Sequence, residues 1–129
     1  MGAVCIAMLA GAMLHVFPAS RATLRWTHSV EHVPWEEDYV ATSAGLRLVE
    51  ARVHASGAGM DAPADARWNG SAWSYRPGLP PLAEVALANS AFVEGYRLCL
   101  PDGGCFALAP RGTAVRLLVR ECPAGLPAR

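Results

Sequence analysis

The run from Thr23 to Val53 constrains the fold of this 129-residue chain more than any other segment, because polar and apolar residues alternate along it. Read with a period of two, Leu24, Trp26, His28 and Val30 share one face, which is the pattern of a half-buried β-strand. The alternation resumes twice more before the run ends. We therefore predict three antiparallel strands in a meander that buries one face.

Two turns set the predicted register of this meander. Glu31 to Pro34 is predicted as the first hairpin loop, and Ser43-Ala44-Gly45 as a three-residue turn with glycine in the left-handed position. The first loop pairs Val30 with Trp35, His28 with Glu37, Trp26 with Tyr39 and Leu24 with Ala41. The second turn pairs Tyr39 with Val49, Glu37 with Ala51 and Trp35 with Val53. The other face is predicted to be solvated and carries Arg25, Thr27, Ser29, Glu36, Asp38, Glu50 and Arg52.

Two ionisable residues, His28 and Glu37, fall on the apolar face. Burial of an unpaired carboxylate is costly, and an adjacent imidazole that donates to it removes much of that cost. The pair has two interpretations: a structural contact that locks the strand register, or a ligand-binding or acid/base site. Loop and aromatic residues predicted at the mouth of such a site are Glu36, Gly57, Gly59, Trp68 and Trp73.

The N-terminal segment from Gly2 to Phe17 contains no Asp, Glu, Lys or Arg. Its roughly 16 residues are fewer than the ~20 that span a bilayer, which favours a signal-peptide core or a short signal anchor. An uncleaved anchor is the preferred interpretation, and a buried core helix is the alternative. The predicted organisation is a helical anchor or signal over residues 1–20, an all-β domain over 21–122 and a tail over 123–129.

The chain has four cysteines. Cys99 and Cys105 flank a short loop between two predicted strands, and we expect them to form a disulfide in an oxidising compartment. Their spacing, without neighbouring ligands, is a poor zinc motif, and no metal or cofactor is predicted. Cys5 and Cys122 are predicted not to be bonded to each other, because one is assigned to the anchor and the other to the end of the β domain.

The second half of the chain adds further strand signals. Asn69-Gly70, flanked by aromatic residues, predicts a hairpin. Strands are also predicted over Leu82 to Ala88, Phe92 to Leu100 and Ala114 to Glu121. The predicted fold class is all-β: a small antiparallel β-barrel or β-sandwich of about eight strands, preceded by one N-terminal hydrophobic helix.

The charge balance excludes one class of partner. The sequence contains eleven basic and eleven acidic side chains, and it has no basic cluster. A surface that follows a phosphate backbone needs such a cluster, so nucleic acid is not an expected partner.

Several short stretches form a distinctive pattern: His28-Ser29-Val30, Pro34, Glu36-Glu37, Leu46, Leu48, Glu50 and Gly57-Ala58-Gly59-Met60. This pattern resembles the bacterial family catalogued as domain of unknown function 1850, over roughly Leu24 to Val119. It departs from the family at Asp61, where a proline is usual. The resemblance implies a small extracytoplasmic domain behind one hydrophobic segment, encoded near tripartite ATP-independent periplasmic transporters, and it implies no activity.

Three functions follow, in order of preference. The first is a non-enzymatic, membrane-anchored accessory protein of such a transporter in the bacterial periplasm. Its partners would be the transporter membrane subunits or their solute receptor, and its N-terminal segment would contact the inner membrane. The second is a small-ligand-binding β domain. The third is a metal-assisted enzyme, which would need more ligands than His28 and Glu37 provide.

Overall fold

The computed structural model describes residues 3–27, 33–54, 65–87, 95–108 and 112–124, which form eleven β-strands and no helix. The strands are β1 (Val4–Ala10), β2 (Met13–Val16), β3 (Arg21–Thr27), β4 (Pro34–Thr42), β5 (Gly45–Val53), β6 (Arg67–Trp68), β7 (Trp73–Tyr75), β8 (Glu84–Leu87), β9 (Arg97–Cys99), β10 (Cys105–Ala107) and β11 (Val115–Glu121). The all-β prediction is confirmed, with more strands than the predicted eight or so.

The strands form two antiparallel sheets that pack face to face. The first has the order β2-β1-β11-β8, and the second has the order β10-β9-β3-β4-β5-β7-β6. Strands β1 and β11 pack against β4 and β5 across the interior. Of the two predicted architectures, the sandwich therefore fits and the closed barrel does not.

The predicted N-terminal helix was wrong, because this segment forms β1 and β2. Strand β1 is central in its sheet and pairs with β11 on one side and β2 on the other. Four consecutive residues from Cys5 to Met8 are buried, so both faces of the strand are covered. Such a continuous apolar run cannot be distinguished from a buried helix by its periodicity. Within the described ranges, no helix is long and apolar enough to cross a membrane.

The chain passes from one sheet to the other through Phe17 to Ser20. The Ile6 amide donates to the Ala19 carbonyl and the Phe17 amide donates to the Ile6 carbonyl, both at 2.9 Å. On the other sheet, the Ala41 amide donates to the Ser20 carbonyl at 2.7 Å. Strands β2 and β3 therefore form the two arms of one bent segment, a usual way for a chain to turn the corner of a sandwich.

The core lies between the sheets and is mainly aliphatic. The first sheet contributes Ile6, Met8, Leu87, Val115 and Leu117, and the second contributes Ala22, Leu24, Tyr39, Ala41, Leu46, Leu48 and Leu98. At roughly 1.5–3 kcal/mol for each large side chain removed from water, this cluster is the main stabilising contribution.

The predicted register of the first hairpin was wrong by four residues. Leu24 lies opposite Glu37 and Trp26 lies opposite Trp35, in place of Ala41 and Tyr39. Because four is an even number, every side chain keeps its predicted face. His28 lies outside the described residues, but its predicted position opposite Glu37 was wrong, because Leu24 occupies that position.

The second hairpin follows the prediction at its far end and departs from it near the turn. Trp35 pairs with Val53 and Glu37 with Ala51, as predicted, but Tyr39 pairs with Leu48 because the register shifts at Asp38/Tyr39. The extra residue is Val49. It was predicted on the apolar face, but it is exposed. The β-bulge shifts the alternation of β5 by one residue. The buried residues before and after it therefore lie on the same face, although an odd number of positions separates them.

Gly45 closes that turn beside the start of β8. Its φ is 130°, and a Cβ here would collide with the carbonyl oxygen of Leu82. Leu46 and Leu82 exchange both backbone hydrogen bonds, at 2.7 and 2.8 Å, and this joins the two sheets on one side. Only glycine permits so close an approach.

Two disulfides close the fold. Cys99–Cys105 joins β9 to β10, which confirms that prediction. Cys5–Cys122 was predicted to be absent, and that prediction was wrong, since the bond links β1 to the residue after β11. The error followed from the helical assignment of residues 1–20: once β1 pairs with β11, Cys5 and Cys122 are neighbours. Two disulfides favour an oxidising, extracytoplasmic compartment.

The remaining strand predictions are confirmed in type. The hairpin around Asn69-Gly70 joins β6 to β7, with Gly70 at a φ of 100°. Strand β11 matches the predicted run almost throughout. Strands β8 and β9 are shorter than the predicted runs, within the part of those runs that the structure describes.

Candidate functional site

Of the predicted site residues, the structure describes some and leaves others outside the described ranges. His28, Gly57 and Gly59 lie outside them. Glu36 and Glu37 are adjacent on β4 and therefore point to opposite faces of the sheet. These two carboxylates are the centres of two different clusters.

Glu37 lies on the inner face among aromatic side chains. The Tyr39 hydroxyl donates to Glu37 Oε1 at 2.9 Å. Two residues along the same strand share a face, which is why Tyr39 can reach it. Across the sheet, Glu37 lies opposite Ala51, and Ala51 lies opposite Tyr75. The small Ala51 side chain separates the carboxylate from Tyr75.

Burial dominates the electrostatics of this inner cluster. It raises the pKa of the Glu37 carboxyl above its usual range, and the hydrogen bond from Tyr39 opposes this rise only in part. Burial also raises the pKa of Tyr39, Tyr75 and Tyr96, and the negative charge of Glu37 adds to each rise. The three phenols therefore remain protonated, and one of them, Tyr39, donates to the carboxyl group.

Tryptophans extend this cluster towards one end of the sheet. The Trp26 ring packs on Trp35 with centroids 6.0 Å apart, and on Tyr96 at 5.4 Å. Trp73 contacts Trp68 at 5.4 Å, and Trp68 is 45% exposed. The indole nitrogen of Trp73 is buried, and none of the described residues accepts a hydrogen bond from it. A buried indole N–H normally has a partner, so this donor is available to a bound group.

Glu36 lies on the outer face, at the centre of an ion-pair network. Arg25 Nε lies 3.0 Å from its Oε2, and Arg52 Nε lies 3.1 Å from its Oε1. His54 Nε2 also lies 2.7 Å from Oε1. Arg52 binds Asp38 with both terminal nitrogens at 2.7 Å, and its Nη1 also donates to Glu50 at 2.7 Å. Arg52 thus joins three carboxylates.

These contacts reverse the effect of burial on the outer carboxylates. Burial alone would raise the pKa of Glu36, but hydrogen bonds to His54 and Arg52 and the charges of Arg52 and Arg25 hold it below its usual range. Asp38 behaves alike, since bonds to Arg52 and Thr23 outweigh burial and lower its pKa. The Arg52 pKa is raised, first by its bonds to Asp38. This face carries fixed charge at neutral pH.

A third feature is an apolar groove between the edge strands β2 and β10. The cavity is about 460 Å³ and is lined by Met8, Met13, Leu14, His15, Phe17, Phe106 and Ala107. Phe17 and Phe106 lie 5.9 Å apart at their centroids. Met13, Leu14 and Phe106 are each about half exposed, which is unusual for side chains of this size.

Metal binding is not indicated in the part of the chain that the structure describes. Within those ranges, no group of three or more His, Cys, Asp or Glu side chains could hold a metal ion. The inner cluster offers one carboxyl group, phenol donors and aromatic faces. The outer network has its charges satisfied within the sheet.

The sequence predicted the faces of the Glu37 cluster and of the charged network, but it did not predict the groove. It placed Glu37 on the apolar face and the charged network on the other, both from the period of two. It placed Glu36 at a mouth, whereas the structure puts this residue in the network. The groove was missed because Met13 and Leu14 had been assigned to a helix. The signal that could have found it is Gly11-Ala12, since glycine at a φ of 61° turns β1 into β2.

The family model for the domain of unknown function DUF1850 matches residues 22–108, the larger part of the chain. The protein belongs to this family. No curated protein and no solved structure matches the chain. The DUF1850 match includes β3 to β10, and hence the Glu37 cluster, the Arg52 network and the Cys99–Cys105 bond. Strands β1, β2 and β11 lie outside it, as does the Cys5–Cys122 bond.

Proposed function

We propose that this protein is a non-enzymatic, extracytoplasmic accessory protein that binds a subunit of a tripartite ATP-independent periplasmic transporter. The observation that carries a partner-binding role is the apolar groove between β2 and β10. The choice of partner rests on the family resemblance, because genes of this family often neighbour those of such transporters. The two disulfides support an extracytoplasmic location.

The groove has the properties of a protein-binding surface. Both flanking strands are sheet edges, and edge strands offer unpaired backbone groups to a further strand. Its floor is apolar, with Met8 and Phe17 buried beneath the exposed Met13 and Leu14. An extended segment of a partner would pair with an edge and place alternate apolar side chains on this floor.

Co-purification tests the proposal. The affinity-tagged full chain is recovered from detergent-solubilised membranes of cells that express the transporter, and transporter subunits are quantified by mass spectrometry. We expect their enrichment over a tagged, disulfide-bonded exported protein of unrelated fold. Recovery equal to that of the unrelated protein would contradict the proposal.

Two leucines of equal exposure provide a matched pair of variants. Leu14 is 47% exposed and lines the groove, whereas Leu79 is 48% exposed and does not line it. Leu14→Asn should reduce recovery of the transporter subunits several-fold, and Leu79→Asn should leave it unchanged. Thermal melts check that both variants are folded. Equal recovery with both variants would show that the groove is not the docking surface.

The inner cluster favours a second candidate function, a small-ligand-binding β domain. Glu37 is partly buried and accepts a hydrogen bond from Tyr39. The buried Trp73 indole donor lies on β7, two residues from Tyr75 and on the same face of the sheet. A carboxylate beside aromatic rings complements a small organic cation. The predicted pairing of His28 with Glu37 was wrong in register, and the role of His28, which lies outside the described residues, stays a prediction.

Titration with tetramethylammonium, followed through the indole N–H signals in NMR spectra, tests this candidate. Glu37→Gln should abolish saturable shifts of the Trp35 and Trp73 signals. Glu84→Gln is the control, because Glu84 pairs with Arg116 on an exposed face of the other sheet. Identical titrations for the two variants would exclude a cation site at Glu37.

A further inference from the structure

Two arginines lie directly opposite each other on the outer face of the second sheet. Strands β3 and β9 are antiparallel, and Arg25 is the register partner of Arg97. Opposed side chains in such a pair project from the same face at close distance. Like charges in this position destabilise the pairing unless a negative charge lies between or beside them.

The sheet neutralises only one of the two guanidinium groups. Arg25 is half exposed and pairs with Glu36 through Nε at 3.0 Å. Glu36 is also bound by Arg52 and His54, so its charge is shared among three partners. Arg97 is exposed, and within the described ranges it has no ion-pair partner. Among the described residues, the positive charge at this end of the outer face is therefore only partly balanced.

A cavity of about 350 Å³ opens at this arginine pair. Its lining combines the two guanidinium groups with Thr27, Trp26 and Pro34. Thr27 shares the outer face with Arg25, since the two residues are two apart on β3, and its hydroxyl adds a donor. Pro34 lies opposite Thr27 and adds apolar surface on the same face, whereas the Trp26 ring faces inwards against Trp35 and Tyr96. This volume is within the range of small-molecule sites.

We propose that Arg25 and Arg97 form a binding site for a small organic carboxylate. Guanidinium groups bind the two oxygens of a carboxylate with paired hydrogen bonds, and two of them on one face hold it from both sides. The charge of the ligand removes the repulsion between the arginines, and Pro34 contacts its organic part. This site is separate from the groove and from the Glu37 cluster, so the outcome of its test does not depend on the proposed function.

The site is tested by titrating the full, oxidised chain with benzoate, benzamide and inorganic phosphate. Binding is followed in NMR spectra through the arginine Nε–H signals and the backbone amide signal of Thr27, which lines the cavity on the same face. We expect benzoate to give saturable shifts of Arg25, Arg97 and Thr27. Benzamide, which has the same shape without the charge, should give none. Phosphate should bind at least several-fold more weakly, because it has no apolar part to contact Pro34.

Variants then assign the binding to the arginine pair. Arg97→Gln should weaken benzoate binding about tenfold or more, and Arg97→Lys should restore only part of it, because lysine keeps the charge but not the planar fork. Arg47→Gln is the control, since Arg47 is another exposed arginine, on β5, that does not line the cavity. It should bind benzoate within about twofold of the wild type.

Three results would overturn the proposal. The first is equal shifts with benzoate and benzamide, which would show that binding does not depend on the negative charge of the ligand. The second is phosphate binding as tight as benzoate binding, which would show a non-selective anion surface. The third is equal benzoate affinity of Arg97→Gln and Arg47→Gln. Arg97 is exposed, so folding of its variants is expected and is checked in the same spectra.

Discussion

Glu36 and Glu37 are neighbours on one strand, yet the structure treats their charges in opposite ways. Glu36 faces outwards, has two arginines and a histidine around it, and its pKa is lowered. Glu37 faces inwards, receives one hydrogen bond from Tyr39 among the described residues, and its pKa is raised. Burial acts in the same direction on both, so the difference comes from their partners.

This difference separates a stabilising role from a candidate binding role. A carboxylate whose oxygens are engaged by arginine on every side holds strands together and has little capacity left for a ligand. A partly buried carboxylate with few donors costs stability, and ionisable groups with perturbed pKa values cluster at functional sites. The comparison therefore supports a structural role for the ion-pair network around Glu36 and makes the inner face around Glu37 a candidate for ligand binding.

The largest expected effect is that of Arg52→Ala. Arg52 is 21% exposed and bridges Glu36, Asp38 and Glu50, so its removal leaves three partly buried carboxylates without their shared cation. We expect a loss of about 3 kcal/mol in the free energy of unfolding, measured by urea denaturation at pH 7. Arg52→Lys should recover only part of this loss, because an ammonium group cannot bind Asp38 through two nitrogens. An unaffected Arg52→Ala variant would mean that the network is only a surface feature.

Matched substitutions of the two glutamates test the comparison itself. Glu36→Gln removes the charge that three partners share, and we expect a loss of about 2 kcal/mol at pH 7. Glu37→Gln removes a buried charge but introduces an amide donor, so a change below about 1 kcal/mol in either direction is expected. Both values come from the same urea denaturation series. Equal destabilisation by the two variants would refute the assignment of different roles.

The same two variants should change the pH dependence of stability in opposite directions. The folded-state pKa of Glu37 is above its ordinary value near 4.5, so the folded protein holds this proton longer and loses stability as pH rises from about 4.5 through the folded pKa. The folded-state pKa of Glu36 is below that value, so its stabilisation is lost as pH falls from about 4.5. Glu37→Gln should remove the first loss and Glu36→Gln the second. Melting temperatures between pH 3 and pH 8 measure both.

Much of this arrangement could be predicted from residue order alone. The period of two assigned Glu36 and Glu37 to opposite faces, and it survived a register error of four residues because that error was even. The bulge at Val49 could not be predicted, because the alternation of β5 simply appears one residue out of phase at that point. Individual partners such as Tyr39 and Arg52 depend on register and side-chain length, which no periodicity specifies.

The N-terminal strands show a different limit. An uncharged run of this length is compatible with a helix in a membrane, a helix in a core, or a central strand that is buried on both faces. What decides among these is the partner strand β11, more than a hundred residues away in the sequence. The Cys5–Cys122 bond and the groove beside β2 both depend on that pairing, so both were beyond local reasoning.

Tyr39→Phe sharpens the inner half of the comparison. It removes the hydroxyl that donates to Glu37 at 2.9 Å while keeping the ring in the core. We expect a loss of about 1 kcal/mol and a further rise in the Glu37 pKa, since the hydrogen bond from Tyr39 opposes the effect of burial and is lost. An NMR titration of the Glu37 carboxyl carbon measures this pKa directly. Tyr75→Phe is the control, because no hydrogen bond joins Tyr75 to Glu37 among the described residues, and it should move the Glu37 pKa less.

Arg25→Gln should have the smallest effect on stability, although Arg25 pairs with the same carboxylate as Arg52. Its side chain is 50% exposed, against 21% for Arg52, and an ion pair open to water contributes between about 0 and 1 kcal/mol. Loss of this pair also relieves the repulsion between Arg25 and Arg97, which offsets part of the cost. Urea denaturation at pH 7 should therefore give a change below about 0.5 kcal/mol, and added salt should reduce it further. A loss as large as that of Arg52→Ala would mean that Glu36 depends on all its partners equally, and the outer network would then be a single cooperative unit.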